Sequence, residues 1–185
     1  MGKIDLTDLM SKDPEVKYAR SKNILALAKE DPAQLYPDLD FFVRLLDSDN
    51  KILRWTSISV IGAMGRVDEA KAVDKLMPRL VAMLNTGNMI TANNAIAALA
   101  DIALARPEYR PQITDELLRV ERYDYDTVEC RNIAIGKAIL AIGTYFNALE
   151  DKKASLEFVK RQVNNTRNAT KKKAEQFLKK YSRKN

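Results

Sequence analysis

The sequence contains no histidine, and this absence excludes a large part of familiar enzyme chemistry. A Ser-His-Asp or Cys-His nucleophile pair, a His-ligated zinc or iron site and an imidazole acid–base group all need a side chain the protein does not have. Its single cysteine, Cys130, cannot form an internal disulfide and agrees with a reducing compartment, so a cytoplasmic location is expected. Six glycines, six prolines and 7% aromatics fit a helical protein better than a sandwich or barrel, which needs many turn residues and β-branched runs. No stretch approaches the roughly 18 apolar residues of a membrane span. The opening MGKIDLTDLM has neither an apolar secretory core nor a Ser or Thr at the myristoylation position, where Leu6 stands. No membrane partner, metal or cofactor is expected.

What is present is 185 residues, 46% of them hydrophobic, enough for one sizeable core or a short repeat array. The net charge of +6 is uneven: residues 1–148 carry a net −2 and residues 149–185 a net +8. Attraction to an anionic partner would centre on the C-terminal end.

Three stretches align without gaps: RWTSISVIGAMG (54–65), ANNAIAALADIA (92–103) and RNIAIGKAILAI (131–142). The alignment superposes Ser57, Ala95 and Ala134, then Ile58, Ile96 and Ile135, then Ile61, Leu99 and Ala138. A small residue, an isoleucine and another apolar residue recur at helical offsets. RSKNILALAKED (20–31) adds Ile24 and Leu27 at the same places, with Asn23 in place of the small residue. The isoleucines lie 34, 38 and 39 residues apart, a spacing that fits a helix-turn-helix repeat.

Independent signals mark where the helices start. Asp13 before Pro14, Asp49, Asn88, and Asp126 before Thr127 are candidate N-caps, able to accept hydrogen bonds from the orphan amides of a first turn. Between these copies, Pro37-Asp38-Leu39, Pro78-Arg79-Leu80 and Pro111-Gln112-Ile113 each lead into an amphipathic run, and proline suits a first turn because its missing N–H costs nothing there. The pattern predicts helix pairs at about 13–30 and 35–46, 50–65 and 74–84, 88–105 and 111–122, and 126–148 and 152–163, with a last helix near 168–181 and a short one within 4–11. Ser57 and Gly62 are expected to admit a close backbone approach between neighbouring helices.

The segment LLDSDNKILRWTSISVIGAMG (45–65) resembles the HEAT-repeat family, with Leu53-Arg54, Ser57-Ile58, Ile61-Gly62 and Met64-Gly65 in the places of its first-helix pattern. Arg20 and Arg131 match the family's arginine in their own copies, whereas Ala92 does not. The resemblance covers about 13–163 and implies an all-α, right-handed α-solenoid of four to five helix-turn-helix repeats. The expected organisation is an N-terminal cap at 1–12, four helix pairs at 13–163 and a basic capping helix at 164–185. Enzymes of HEAT-like architecture are not matched: the iron-dependent hydroxylases rely on His-Glu pairs, and the DNA alkylation-repair glycosylases use concave-face Trp and Asp residues, whereas Trp55 falls on a first helix.

The remaining motifs are read plainly. Cys130 has no histidine to act as its base and is assigned the role of a small, partly buried residue. DSDNKI (47–52) begins like a calcium loop but has Lys51 and Ile52 where a ligand and a glycine belong, and Asp124-Tyr125-Asp126 is a capping turn. The resemblance places partner binding on the concave row of second helices, where Asp38, Arg79 and Gln112 follow the prolines, a mixed polar row suited to a protein or peptide rather than to a phosphate ladder. The tail offers Lys171, Lys172, Lys173, Lys179, Lys180, Arg183 and Lys184 around an apolar stripe of Ala174, Phe177, Leu178 and Tyr181. The expected function is a non-enzymatic protein-interaction scaffold. The alternative is nucleic-acid binding through the basic C-terminal helix.

Overall fold

The computed structural model describes residues 4–181. Long helices α1 (Pro14–Glu30), α3 (Lys51–Met64), α5 (Met89–Ala105), α7 (Val128–Tyr145) and α9 (Asn168–Tyr181) alternate with short helices α2 (Leu39–Leu45), α4 (Met77–Ala82), α6 (Arg110–Leu118) and α8 (Lys153–Arg161), after a 3-10 turn at Thr7–Met10. Among the described residues there is no β-strand. Each long helix packs on the next long helix, and the short helices fill a second row beside them. The result is an all-α repeat solenoid.

The sequence periodicity survives as packing. Ser57, Ile58 and Ile61, Ala95, Ile96 and Leu99, and Ala134, Ile135 and Ala138 are all buried. Burying each isoleucine or leucine in this way contributes about 1.5–3 kcal/mol. Ser57 is small for a further reason, since its hydroxyl donates to the Phe42 carbonyl of α2 and so joins a long helix to a short one. In the first copy Asn23 is exposed while Ile24 is buried. Polar links between successive repeats recur at separations of 34 to 36 residues: Ser21 with Thr56, Trp55 Nε1 donating to Thr91 Oγ1 at 3.1 Å, Ser59 with Asn94, and Asn132 Nδ2 donating to Thr166 Oγ1, just ahead of α9, at 2.9 Å.

Two helix starts differ from the expected residue. Asp13 and Asn88 cap α1 and α5, accepting from Glu15 N at 2.8 Å and Thr91 N at 2.9 Å. For α3 the cap is Asn50, not Asp49, and for α7 it is Thr127, not Asp126. Asn50 and Thr127 hold the extended backbone that aims a side chain at the first-turn amides, and they accept from Ile52 N at 3.0 Å and Cys130 N at 3.0 Å. The second helices are also composite rather than continuous: 3-10 turns at Tyr36–Asp38, Asp74–Leu76, Met83–Asn85, Arg119–Arg122 and Gln162–Asn164 flank short α segments. In helices of six to nine residues most amides or carbonyls belong to an end, and 3-10 bonds satisfy some of them.

The α3–α4 connection is organised by a buried carboxylate. Asp68, 3% exposed, accepts from Ala72 N at 2.9 Å, Val73 N at 2.7 Å and the Tyr36 hydroxyl. Arg66, just ahead of it, donates to Ala28 O at 2.6 Å and Lys29 O at 2.8 Å, occupying carbonyls left open at the end of α1. Arg106, after α5, reaches this connection as well, donating to Asp68 O at 2.9 Å.

The basic tail does more than cover an end, because α9 takes the position of a fifth long helix against α7. Ala174, Phe177 and Tyr181 of the expected stripe are buried, Leu178 is half-buried, and Thr170 completes the contact by donating to Asn132 O at 2.7 Å. Phe146, Phe177 and Tyr181 form an aromatic cluster with ring centroids 4.6–4.9 Å apart. The Tyr181 hydroxyl donates to Gly143 O at 2.7 Å.

Candidate partner-binding surfaces

The row of short helices presents Asp38, Arg79 and Gln112 at successive repeats, each directly after its proline. Asp38 closes a 3-10 turn and is half-buried beside a hollow of about 470 Å³ that Ile4, Leu6, Met10 and Phe41 also line. Arg79, on α4, is held by Asp47 at 2.7 Å in an ion pair whose side chains are 37% and 78% exposed. A pair that exposed is worth little and leaves Arg79 free to exchange partners. Gln112, on α6, is exposed. No hydrogen bond or ion pair among the described residues joins the three; Asp38 precedes α2, whereas Arg79 and Gln112 lie in the first turn of α4 and α6.

A second hollow, about 310 Å³, opens between α6 and α8 and is lined by Pro111, Thr114, Asp115, Leu118, Leu149 and Ser155 among others. Thr114 Oγ1 donates to Arg110 O at 2.7 Å and lies 3.2 Å from the Tyr145 hydroxyl. Burial pushes the Tyr145 phenol up to about 12.

At the C-terminal end, Lys171, Lys172, Lys179 and Lys180 are exposed and Lys173 is half-buried. Glu175 interrupts this face. Arg183 and Lys184 lie outside the described residues. Burial, and then the neighbouring cations Arg167 and Lys137, hold the Lys173 amine below the usual lysine range. Arg167 itself is paired with Glu129 at 2.7 Å. The tail's cations therefore do not form one continuous face.

Sequence reasoning missed Leu140, which is 50% exposed on α7. Its signal was present in the alignment: the same column holds Ala63 and Asp101, so a large apolar residue there departs from the repeat. Cys130 is half-buried in the first turn of α7. Among the described residues, no group of three or more metal-ligating side chains is brought together, and no helix is long and apolar enough to cross a membrane.

No protein-family profile and no curated protein sequence matches the chain. Solved structures do. A designed armadillo repeat protein is 20% identical with a TM-score of 0.58, over 94% of this chain and 79% of that one. A structure described as computationally designed armadillo repeat proteins for modular peptide recognition is 20% identical with a TM-score of 0.57, over the same shares of the two chains. An engineered protein is 18% identical with a TM-score of 0.59, over 94% and 76%. Likeness at this identity establishes the fold, a helical repeat solenoid.

Proposed function

We propose that this protein is a non-enzymatic scaffold that binds a peptide or protein segment along its row of short helices, and that its helix pairs are HEAT-like units. The observation that carries the reading is the recurrence of Asp38, Arg79 and Gln112 directly after a proline on successive repeats, with a hollow of about 470 Å³ at Asp38 and one of about 310 Å³ between α6 and α8. Repeated, chemically different polar groups one repeat apart suit the successive side chains of an extended partner, and the hollows that flank the three residues add surface for contact. The likeness to proteins designed for modular peptide recognition supports the same reading.

Selection of a random peptide library on the protein tests it. Peptides should be enriched, and they should lose about tenfold in affinity on a variant carrying Asp38→Ala, Arg79→Ala and Gln112→Ala together. Failure to enrich any peptide, or equal binding to the variant, would overturn the assignment.

The second reading, nucleic-acid binding through α9, draws on the exposed Lys171, Lys172, Lys179 and Lys180. It requires affinity that falls steeply with salt and disappears when these lysines become glutamines.

A further inference from the structure

Two cations of α9 differ from the rest in what they stand beside. Lys173 and Lys180 lie seven residues apart on the flank that meets α7, a separation of roughly 10 Å along the helix at 1.5 Å per residue. Between α7 and α9 runs a groove of about 340 Å³ lined by these lysines, Gly143, Thr144 and Gln176, with Leu140 as its exposed apolar side chain and Phe177 and Tyr181 at its base. Among the described residues no carboxylate lines it.

Gly143 of α7 faces Phe177 in this groove. A β-carbon there would sit 3.6 Å from the ring, an ordinary van der Waals contact, so the glycine leaves a methyl-sized space beside the ring open. Leu140, one turn earlier, leaves half of its surface uncovered in this opening. Neither Lys173 nor Lys180 makes an ion pair among the described residues. Lys173 is additionally crowded by Arg167 and Lys137. An apolar trough with unneutralised cations on its rim is complementary to a ligand that is apolar in the middle and anionic at its ends.

We propose that the α7–α9 groove docks an acidic peptide segment, an apolar side chain filling the trough between two carboxylates that reach Lys173 and Lys180. The inference rests on the scaffold reading and adds a second contact, at the end of the array, of defined chemistry. A polyproline-II segment rises about 3.1 Å per residue with three residues per turn, so two carboxylates about three positions apart share one edge at this spacing while the apolar side chain stands on the adjacent edge. A nucleic acid fits this place less well. Phe177 and Tyr181 are only 6% and 8% exposed, leaving no aromatic face for a base, and a phosphate backbone gains nothing from Leu140. Carboxylates gain modestly from exposed lysines, and most of the affinity comes from the buried apolar anchor.

The test uses fluorescein-labelled dodecapeptides with two glutamates three positions apart and the intervening positions drawn from leucine, phenylalanine and methionine, titrated into the full chain by anisotropy. Members should bind. Leu140→Glu, at an exposed helical position where the fold is checked by thermal melting, should weaken them about tenfold or more. Lys173→Gln with Lys180→Gln should weaken them about fivefold, whereas Lys171→Gln with Lys172→Gln, an equal change of charge on the outward face, should have less than about a twofold effect. The groove assignment is overturned if no member binds, if Leu140→Glu has no effect, or if the two lysine pairs are equivalent. It is also overturned if a mixed-sequence single-stranded RNA displaces the peptides while binding Leu140→Glu as tightly as the parent protein. Enrichment from the random library on the short-helix row is unaffected by any of these results, so the scaffold reading can survive the loss of the groove.

Discussion

Gly62 of α3 lies against Ala98 of α5 so closely that a β-carbon built on the glycine would sit 2.5 Å from Ala98 Cα and 2.6 Å from its Cβ. This contact explains a glycine in the middle of a helix, where it costs about 1 kcal/mol of propensity relative to alanine. The neighbouring atoms are backbone and the stub of a side chain, so neither can turn away. Gly62→Ala should therefore destabilise the protein by about 1–3 kcal/mol despite its better helix propensity, as read from denaturant midpoints. A gain in stability would show that the close approach is not required.

Gly65 provides the internal comparison. A β-carbon there would meet Ile102 Cγ1 at 3.1 Å and the Gly62 carbonyl oxygen at 3.2 Å, tight contacts that shifts of a few tenths of an ångström relieve, unlike the overlap at Gly62. Gly65→Ala should cost less than Gly62→Ala, within about 1 kcal/mol of the parent.

The Tyr36–Asp68 contact predicts a decline in stability at alkaline pH. The hydrogen bond to Asp68, and then burial, push the Tyr36 phenol up to about 12, from an ordinary value of 10.0. Tyr125 and Tyr145 are also pushed up to about 12, mainly by burial. A raised phenol pKa means that the folded state favours the protonated form, so this contribution is fully present below pH 10 and is lost as pH rises toward 12. Denaturant midpoints measured across that window should fall, and fall less in Tyr36→Phe. Asp68→Ala should cost about 3 kcal/mol at neutral pH, because it leaves the buried Val73 amide and the half-buried Ala72 amide without their acceptor.

Removal of α9 should not yield a well-folded shorter protein. Phe177→Ala alone deletes a ring packed 4.9 Å from Phe146 and 4.6 Å from Tyr181 and should cost about 3–5 kcal/mol. A chain ending at Arg167 would expose Phe146, Ile139 and Ile142 together, and should associate or unfold. Size-exclusion chromatography and melting of the two variants check both outcomes. Lysine-to-glutamine changes, which leave the stripe intact, are the way to test what the cations do.

The parts of the fold that were legible in the sequence are those where one residue type has one physical reason. The Ser57-Ile58, Ala95-Ile96 and Ala134-Ile135 pairs announced buried long-helix faces because burial demands the same volume in each repeat. Cap positions were legible only to within a residue: Asp49 and Asn50, or Asp126 and Thr127, are all competent acceptors, and backbone conformation decides between them. The stripe of Ala174, Phe177, Leu178 and Tyr181 showed a docking face for α9, but not that α9 continues the long-helix row, because it lacks the small-residue and isoleucine pattern of the other copies. The α7–α9 groove was hidden for a similar reason. It depends on Gly143, Leu140 and two lysines from a different helix, which become neighbours only once the helices are stacked.

The most direct measurement is a parallel titration of the full chain with a library-selected peptide and with a mixed-sequence single-stranded RNA, each at low and at near-physiological salt. A scaffold of the proposed kind binds the peptide at both salts and holds RNA, if at all, only at the lower one. RNA binding that persists at the higher salt and disappears when Lys171, Lys172, Lys179 and Lys180 become glutamines, with no peptide retained, would contradict it.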